Sequence, residues 1–582
     1  MPTFDTLIRG GTLVDGKGHA AYTADIAISD GHIAAIGRGL GSAAQTIDAD
    51  GLTVTPGWVD IHTHYDAQVT WDPELLQSTW HGVTSAVLGN CGVGFAPAAP
   101  DRHDWLIGLM EGVEDIPGVS LRAGMQWQWE TFPQYIDALD RMPRTIDIGT
   151  QLTHGALRCY VMGERGASNE AASADDLRRM ALLIREGMAA GALGFTTSRT
   201  AVHIDVDGVP VPGTFADSEE LCALAGAVKA SGHGLMEMVL TGAAGEDVEG
   251  LNRDMRILRE VAERSRCPLM YLLAQNNADP GQWRRQLAVS EDAARAGLVI
   301  TPQVAGRPIP ILFSMAGEHP WRFMPSYAEI ADLPPAERVR RMAEPGMRAR
   351  LLAEQDPHDT GFSLLYKSPL LWDTTFVASE PLSYMPDAGS SVAAIARREG
   401  RSPWEVAYDR LLENEGNAIL VHTLVGYSDG TADAVHEMLR HPLSVLGLSD
   451  AGAHCRFICD GGVHTYVLTH WYRDRDVDDP QRLPLEFLVR KLTGDNARLY
   501  GLDDRGVLEP GRRADLNLID MTRLGSGTPY MAYDLPAGQQ RMLCRASGYV
   551  GTYVRGQCVQ ANGELTGVRP GRVIRGGAAR RG

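Results

Sequence analysis

Thr55-Pro56-Gly57-Trp58-Val59-Asp60-Ile61-His62-Thr63-His64 is the stretch on which the rest of the sequence turns. Proline and glycine punctuate the chain, then a short apolar run follows and ends in polar residues, the pattern of a buried strand. Residues two apart on a strand share a face, so His62 and His64 project together, with Asp60 on their side and Thr63 turned away. Two imidazoles on one face at a strand's end are a ready pair of metal ligands.

Outward from this strand the middle of the chain alternates short β-rich runs with amphipathic helices. Strands are expected near 58–62, 83–88, 146–152, 193–197, 234–239, 269–273, 299–303, 417–422 and 443–448. One helix is explicit: Ser173 as N-cap, Asp176 three residues on, and an apolar stripe of Leu177, Met180, Ala181, Ile184 and Met188 up to about Ala190. Repeated strand–helix alternation predicts an α/β chain, a (β/α)8 TIM-like barrel or a large doubly wound sheet. The nine candidates exceed the eight barrel positions, so one belongs elsewhere. The span 304–415 is too long for a loop, is partly helical over Ala328 to Glu354, and is expected as an insertion over the barrel mouth. Short strands with Gly-Gly and Asp-Gly turns mark both ends. These predict a small β-sandwich shared by residues 1–55 and 500–568, around a barrel of 56–499, with 569–582 a flexible Gly/Arg-rich tail.

The 582 residues carry a net charge of −19, with 44% hydrophobic and 22% charged residues, an ordinary globular balance. The negative field argues against sequence-independent binding of nucleic acid or anionic lipid. The start shows no basic segment followed by an apolar one, and the longest weakly polar run, Ala86 to Pro100, is too irregular to span a bilayer. Eight dispersed cysteines without a CxxC pair read as reduced thiols, and a cytoplasmic enzyme is expected.

A second motif, Leu446-Gly447-Leu448-Ser449-Asp450-Ala451-Gly452-Ala453-His454, ends an apolar strand in an acid. In a barrel that carboxylate stands at the C-terminal rim, where catalysis sits. His62, His64 and Asp450 together make a mononuclear site with open positions for water.

Several blocks now fall in one order along the chain: Leu7-Ile8-Arg9-Gly10-Gly11-Thr12-Leu13-Val14-Asp15-Gly16, the His62-Thr63-His64 block, Gly89-Asn90-Cys91-Gly92, Leu152-Thr153-His154-Gly155-Ala156-Leu157-Arg158, Gly191-Ala192-Leu193-Gly194-Phe195-Thr196-Thr197, Ser449-Asp450, and Gly506 to Asp515. Together they resemble the amidohydrolase superfamily and, more narrowly, its N-acyl-D-amino-acid deacylase (D-aminoacylase) branch, over essentially the whole length. The resemblance implies a metal-dependent (β/α)8 barrel with a β-sandwich and zinc-activated hydrolysis of a C–N bond. It implies first-strand ligands at His62 and His64, a cysteine ligand at Cys91, and Asp450 as ligand and general base. Two departures matter. Glu237 stands where that branch carries a histidine after strand five, and the strand-six segment offers Gln275 but no histidine. One strong zinc site is therefore expected from His62, His64 and Asp450, completed by Glu237 or Cys91, with little left to hold a second ion.

The expected substrate is a small amide such as an N-acyl amino acid. His154 or His422 are candidate donors to the oxyanion, Arg158, Arg199, Lys367 and Arg456 candidate partners for a substrate carboxylate, and Gln275 a weak ligand or substrate donor. With a net charge of −19, carboxylate recognition must be local. A cyclic amide, imide or ester hydrolase on the same barrel, and a catalytically dead barrel serving as a binding subunit, remain open alternatives, as does a homo-oligomer. Cys455 and Cys459 read as core thiols, and His203 to Gly208 as a turn.

Overall fold

The computed structural model describes residues 3–358 and 362–577. Its middle carries eight parallel strands: β1 (Trp58–Asp60), β2 (Val83–Leu88), β3 (Asp147–Thr150, resumed over Leu152–Thr153), β4 (Gly194–Ser198), β5 (Leu235–Val239), β6 (Leu269–Leu272), β7 (Ile300–Val304) and β8 (Val445–Leu446). β1, β2 and the first part of β3 form one parallel sheet, and the second part of β3 continues through β4, β5, β6, β7 and β8 in another, with Gln151 as the joint. Just beyond their ends, β1 and β8 also meet: Thr63 bridges Ala451, and the His64 backbone N–H donates to the Ala451 carbonyl at 2.8 Å. All residues of β2, β4, β5 and β7 are buried, which is why these segments read as continuous apolar or small-residue runs rather than alternating ones.

The helix expected after Ser173 spans Ala174–Ala190, opens with a reciprocal Ser173–Asp176 capping box and stops at Gly191, whose φ of +112° an L side chain rarely adopts. Met180, Ile184 and Met188 are fully buried, each worth about 1.5–3 kcal/mol of apolar burial.

The surplus strand is the one expected at 417–422. It lies at Leu420–Val425 and pairs antiparallel with Ile309–Phe313 and Thr375–Val377, in a three-stranded sheet that belongs to the insertion. An apolar run announces burial but not its partner, so the insertion reaches beyond the expected 415. The insertion has its own core, in which Trp321 packs edge-on to Tyr408 at 4.9 Å and Trp372 to Trp404 at 4.9 Å.

Both chain ends enter one nine-stranded sheet, joined where Thr53–Pro56 pairs with Leu516–Ile519. The segment expected to trail as a flexible tail from Arg569 is instead docked as far as it is described. Val573 bridges Ile148 of β3, the Ile574 N–H donates to the Ile148 carbonyl at 2.6 Å, and the Ile574 side chain is buried. The first part of β3 lacks β4 as a neighbour, and this segment satisfies the edge that is left. Residues 578–582 lie outside the described residues. Among the described residues no helix is long and apolar enough to cross a membrane.

Candidate metal centre

His62 and His64 leave the end of β1 fully buried. Gln303 of β7 accepts from His62 Nδ1 at 2.9 Å, which assigns the proton to that nitrogen and turns the Nε2 lone pair inward. There it faces Cys91 Sγ and Asp450 Oδ1, each at 3.4 Å. His64 presents Nε2 to the same Asp450 oxygen at 3.8 Å, and its Nδ1 lies 3.2 Å from Glu114 Oε1, though not aligned for a hydrogen bond. Ligand atoms of His62, His64 and Cys91 all lie within 4.8 Å of one another. Glu237 of β5 brings Oε1 to 3.5 Å from His62 Nδ1.

Backbone strain accompanies this convergence. Cys91, Leu448, Asp450 and His454 all adopt the left-handed region, with φ of 55°, 62°, 46° and 50°, at a cost of about 1–2 kcal/mol each for residues with a Cβ. Gly92 follows Cys91 in the same region, where a Cβ would meet the Ser198 nitrogen at 2.8 Å, so the loop after β2 packs directly on β4.

The electrostatics ask for a cation. Among the described residues the ion pairs of Asp450, Glu237 and Glu114 involve histidines alone, with no lysine or arginine, and Glu237 is fully buried. Burial raises the Glu237 carboxyl to about 8 and pushes the Cys91 thiol well above its ordinary value. Burial lowers the His62 imidazole to about 4. It would lower His64 too, but Glu114 and Asp450 outweigh it and lift that group to about 9. Burial likewise opposes ionisation of Asp450, yet the hydrogen bond from His64 and the charge of His62 hold it well below the usual carboxylate range. A divalent ion among these groups favours the ionised forms of Glu237 and Cys91 and the neutral form of both imidazoles, the forms that bind metal. Two imidazoles, a thiol and buried carboxylate oxygens are a donor set that fits zinc.

The other expected residues are placed elsewhere. Both ring nitrogens of His154 are occupied, by Glu220 at 2.9 Å and Thr197 at 2.8 Å, and Arg158 pairs with the same Glu220. Arg199 is tied to Asp254 at 3.0 Å and the Ala216 carbonyl at 2.7 Å. These three brace the elements behind β3 and β4. His422 sits in the insertion sheet with Nδ1 3.0 Å from Thr375 Oγ1, and Lys367 bonds the His358 carbonyl in the insertion. Gln275 bonds Asp429 at 2.7 Å and accepts from the Ser428 N–H at 3.2 Å, so it is committed to a loop. Arg456 alone borders the centre, paired with Asp115 at 2.8 Å beside Glu114.

Sequence reasoning missed Gln303, Glu114, His454 and His203. Gln303 is a lone amide in the otherwise apolar or small-residue strand Ile300–Val304, a signal that was there to find. Glu114 ends the helix His103–Glu114 and carries no motif, while its second oxygen lies 3.7 Å from His454 Nε2. His203, in the stretch expected as a plain turn, hydrogen-bonds Ser198 at the end of β4 at 2.8 Å.

A family model described as "Amidohydrolase family" matches residues 45–560, and the chain belongs to that family. It falls in the D-aminoacylase-like branch and is a hydrolase of carbon–nitrogen bonds. A D-aminoacylase of Alcaligenes xylosoxydans xylosoxydans is 25% identical over 584 residues, which cover 98% of this chain and 97% of that protein. A solved D-aminoacylase structure, titled for its binuclear metal centre, matches with a TM-score of 0.63 at 23% identity over 98% of this chain and 100% of that one. An N-acyl-D-glutamate deacylase from Bordetella bronchiseptica, solved with zinc and a phosphonate inhibitor, matches with a TM-score of 0.62 at 24% identity over 98% and 99%. These likenesses give the fold as a TIM barrel with an additional domain.

Proposed function

We propose that this enzyme hydrolyses the amide bond of an N-acyl amino acid at one zinc ion held by His62, His64 and Asp450, with Cys91 and Glu237 completing the site. The observation that carries the reading is the meeting of His62 Nε2, Cys91 Sγ and Asp450 Oδ1 beside the buried carboxyl of Glu237. Bound there, zinc would acidify water and polarise the scissile carbonyl. Gln303 holds His62 in the tautomer that presents Nε2. Asp450, ionised at neutral pH, accepts the proton of the attacking water at its carboxylate and returns it to the leaving nitrogen. Gln275, committed to Asp429, supplies nothing to a second ion, which supports a single one, although the D-aminoacylase neighbour is titled for a binuclear centre with "one-metal activation and second-metal attenuation".

The frame belongs to the same reading: a closed (β/α)8 barrel over 56–499, supported by the Thr63–Ala451 bridge, and a β-sandwich from 1–55 and 500–568. All eight cysteines are unpaired, which supports a reducing, cytoplasmic setting. Metal removal is the test. Purified enzyme is expected to hold about one equivalent of zinc and to release amino acid from N-acyl-D-amino acids, while chelation or Asp450→Ala lowers kcat by at least about a hundredfold without unfolding the chain. Full turnover by metal-free enzyme or by Asp450→Ala would refute the mechanism. Less than about 0.2 equivalents of any transition metal after supplemented expression would favour the dead barrel.

A further inference from the structure

His62 is aimed by Gln303, but the Asp450 carboxylate has no comparable holder. Among the described residues its ion pairs and its side-chain hydrogen bond go to imidazoles alone. Its direction is therefore inherited from its backbone. That backbone is strained on both sides of Ser449, since Leu448 and Asp450 lie in the left-handed region at φ of 62° and 46°. A residue with a Cβ keeps that conformation only where its surroundings impose it.

Ser449 supplies the constraint. Its hydroxyl lies 2.6 Å from Asp60 Oδ2 and 3.0 Å from the His62 carbonyl oxygen, and it accepts from the Ala451 backbone N–H at 3.3 Å. A hydroxyl has one proton, and the shorter contact takes it. Asp60 uses its other oxygen, Oδ1, to accept from the His62 backbone N–H at 3.2 Å. One carboxyl thus holds the backbone of a metal-centre histidine and, 389 residues away, the residue before Asp450. Ser449 and Asp60 are fully buried, so water does not compete for the contact. The rest of the seam between β1 and β8 is pinned apart from Asp450: the Asn496 side-chain amide donates to the Val59 and Leu446 carbonyls, both at 2.8 Å. Removing the Ser449 hydroxyl therefore leaves the strands joined and frees only the turn that carries Asp450.

We propose that Ser449, held by Asp60, is a positioning residue for hydrolysis: it fixes the backbone at Asp450 and, through it, the direction in which that carboxylate meets the ion and the attacking water. This rests on the reading of Asp450 as ligand and base given above. A hydroxyl that merely closed the barrel would contribute to Tm and leave kcat and metal binding unmoved.

Ser449→Ala removes the hydroxyl and Ser449→Thr keeps one. Metal-free enzyme is titrated with cobalt(II), whose visible bands report the ligand set, and zinc enzyme is assayed with N-acetyl-D-leucine. Ser449→Ala is expected to bind cobalt about tenfold more weakly, with bands moved toward those of Asp450→Ala. Its kcat is expected to fall about ten- to a hundredfold with KM within about twofold of wild type. Ser449→Thr should recover most of both. Because the hydroxyl acts through Asp450, Ser449→Ala added to Asp450→Ala should change cobalt affinity no further. Unchanged cobalt affinity and bands in Ser449→Ala, or a full further loss of affinity in the double variant, would each overturn the assignment. The cobalt titration decides even where the probe amide is not turned over. Wild-type turnover by Asp450→Ala with shifted bands in Ser449→Ala retires the base and keeps the positioning role, and an inactive Asp450→Ala beside a wild-type Ser449→Ala does the reverse.

Discussion

At the scale of single residues, the centre shows which contacts a sequence can announce. His62 and His64 were legible because a strand's period of two puts them on one face, and Asp450 because an acid after an apolar strand marks a barrel rim. Gln303 stands out only as a lone amide in its strand, and its partner was not legible, since it lies 241 residues from the histidine it orients. The placement of Arg158 and Arg199 was hidden for the same reason: the carboxylates that neutralise them, Glu220 and Asp254, come from other helices. Nothing local separates a ligand-facing arginine from a satisfied one. The Gln303 contact makes its own prediction. Gln303→Ala removes the acceptor that fixes the His62 tautomer and is expected to weaken zinc binding by about 10–100-fold, read by competition with a chromophoric chelator. Gln303→Glu, which keeps an acceptor at the same reach, should retain affinity near wild type. If both variants bind zinc equally, the tautomer argument fails.

At the scale of elements, the sequence told strands and helices apart better than it told which strands are neighbours. Leu420–Val425 reads as a barrel strand because its burial is real, and only the antiparallel register with Ile309–Phe313 assigns it to the insertion. Helix-to-helix ties are equally invisible until the fold is seen. Glu220, near the start of the helix Ser218–Ala230, is buried and bonds both His154 and Arg158 of the helix His154–Met162. Burial alone would raise its carboxyl, but the hydrogen bond from His154 and the charge of Arg158 overcome this and lower it to about 2. A folded-state value below the unfolded one stabilises the protein fully above pH ~4.5, and that stabilisation is lost as pH falls from there toward 2. Glu220→Gln should therefore lie well below wild type in Tm at pH 7, with the gap narrowing by pH 3 in paired calorimetric scans. An equal gap at both pH values would show that the loss comes from packing and not from the charge.

At the scale of the whole molecule, the two β-rich ends were visible as turn-punctuated runs, but not the way the last described residues return to the barrel. Composition made the tail look loose, since arginine and glycine dominate it, and one isoleucine inside it carries no periodic signal. Yet Ile574 belongs to a single apolar cluster with Val59 of β1, Leu235 of β5 and Met270 of β6. The tail thus contributes to the core on which the strands bearing the metal centre rest, while Arg575 beside it makes a half-exposed pair with Asp137 at 2.8 Å. These neighbours separate burial from surface charge. Removing the Ile574 side chain leaves a cavity among packed strands and should cost about 2–4 kcal/mol, whereas an exposed ion pair is worth about 0–1 kcal/mol. Ile574→Ala is therefore expected to lower Tm by several degrees and Arg575→Ala by hardly any, with one equivalent of zinc retained in both. If Ile574→Ala melts with wild type, the segment adds nothing to the core and the sequence's loose tail was the better description.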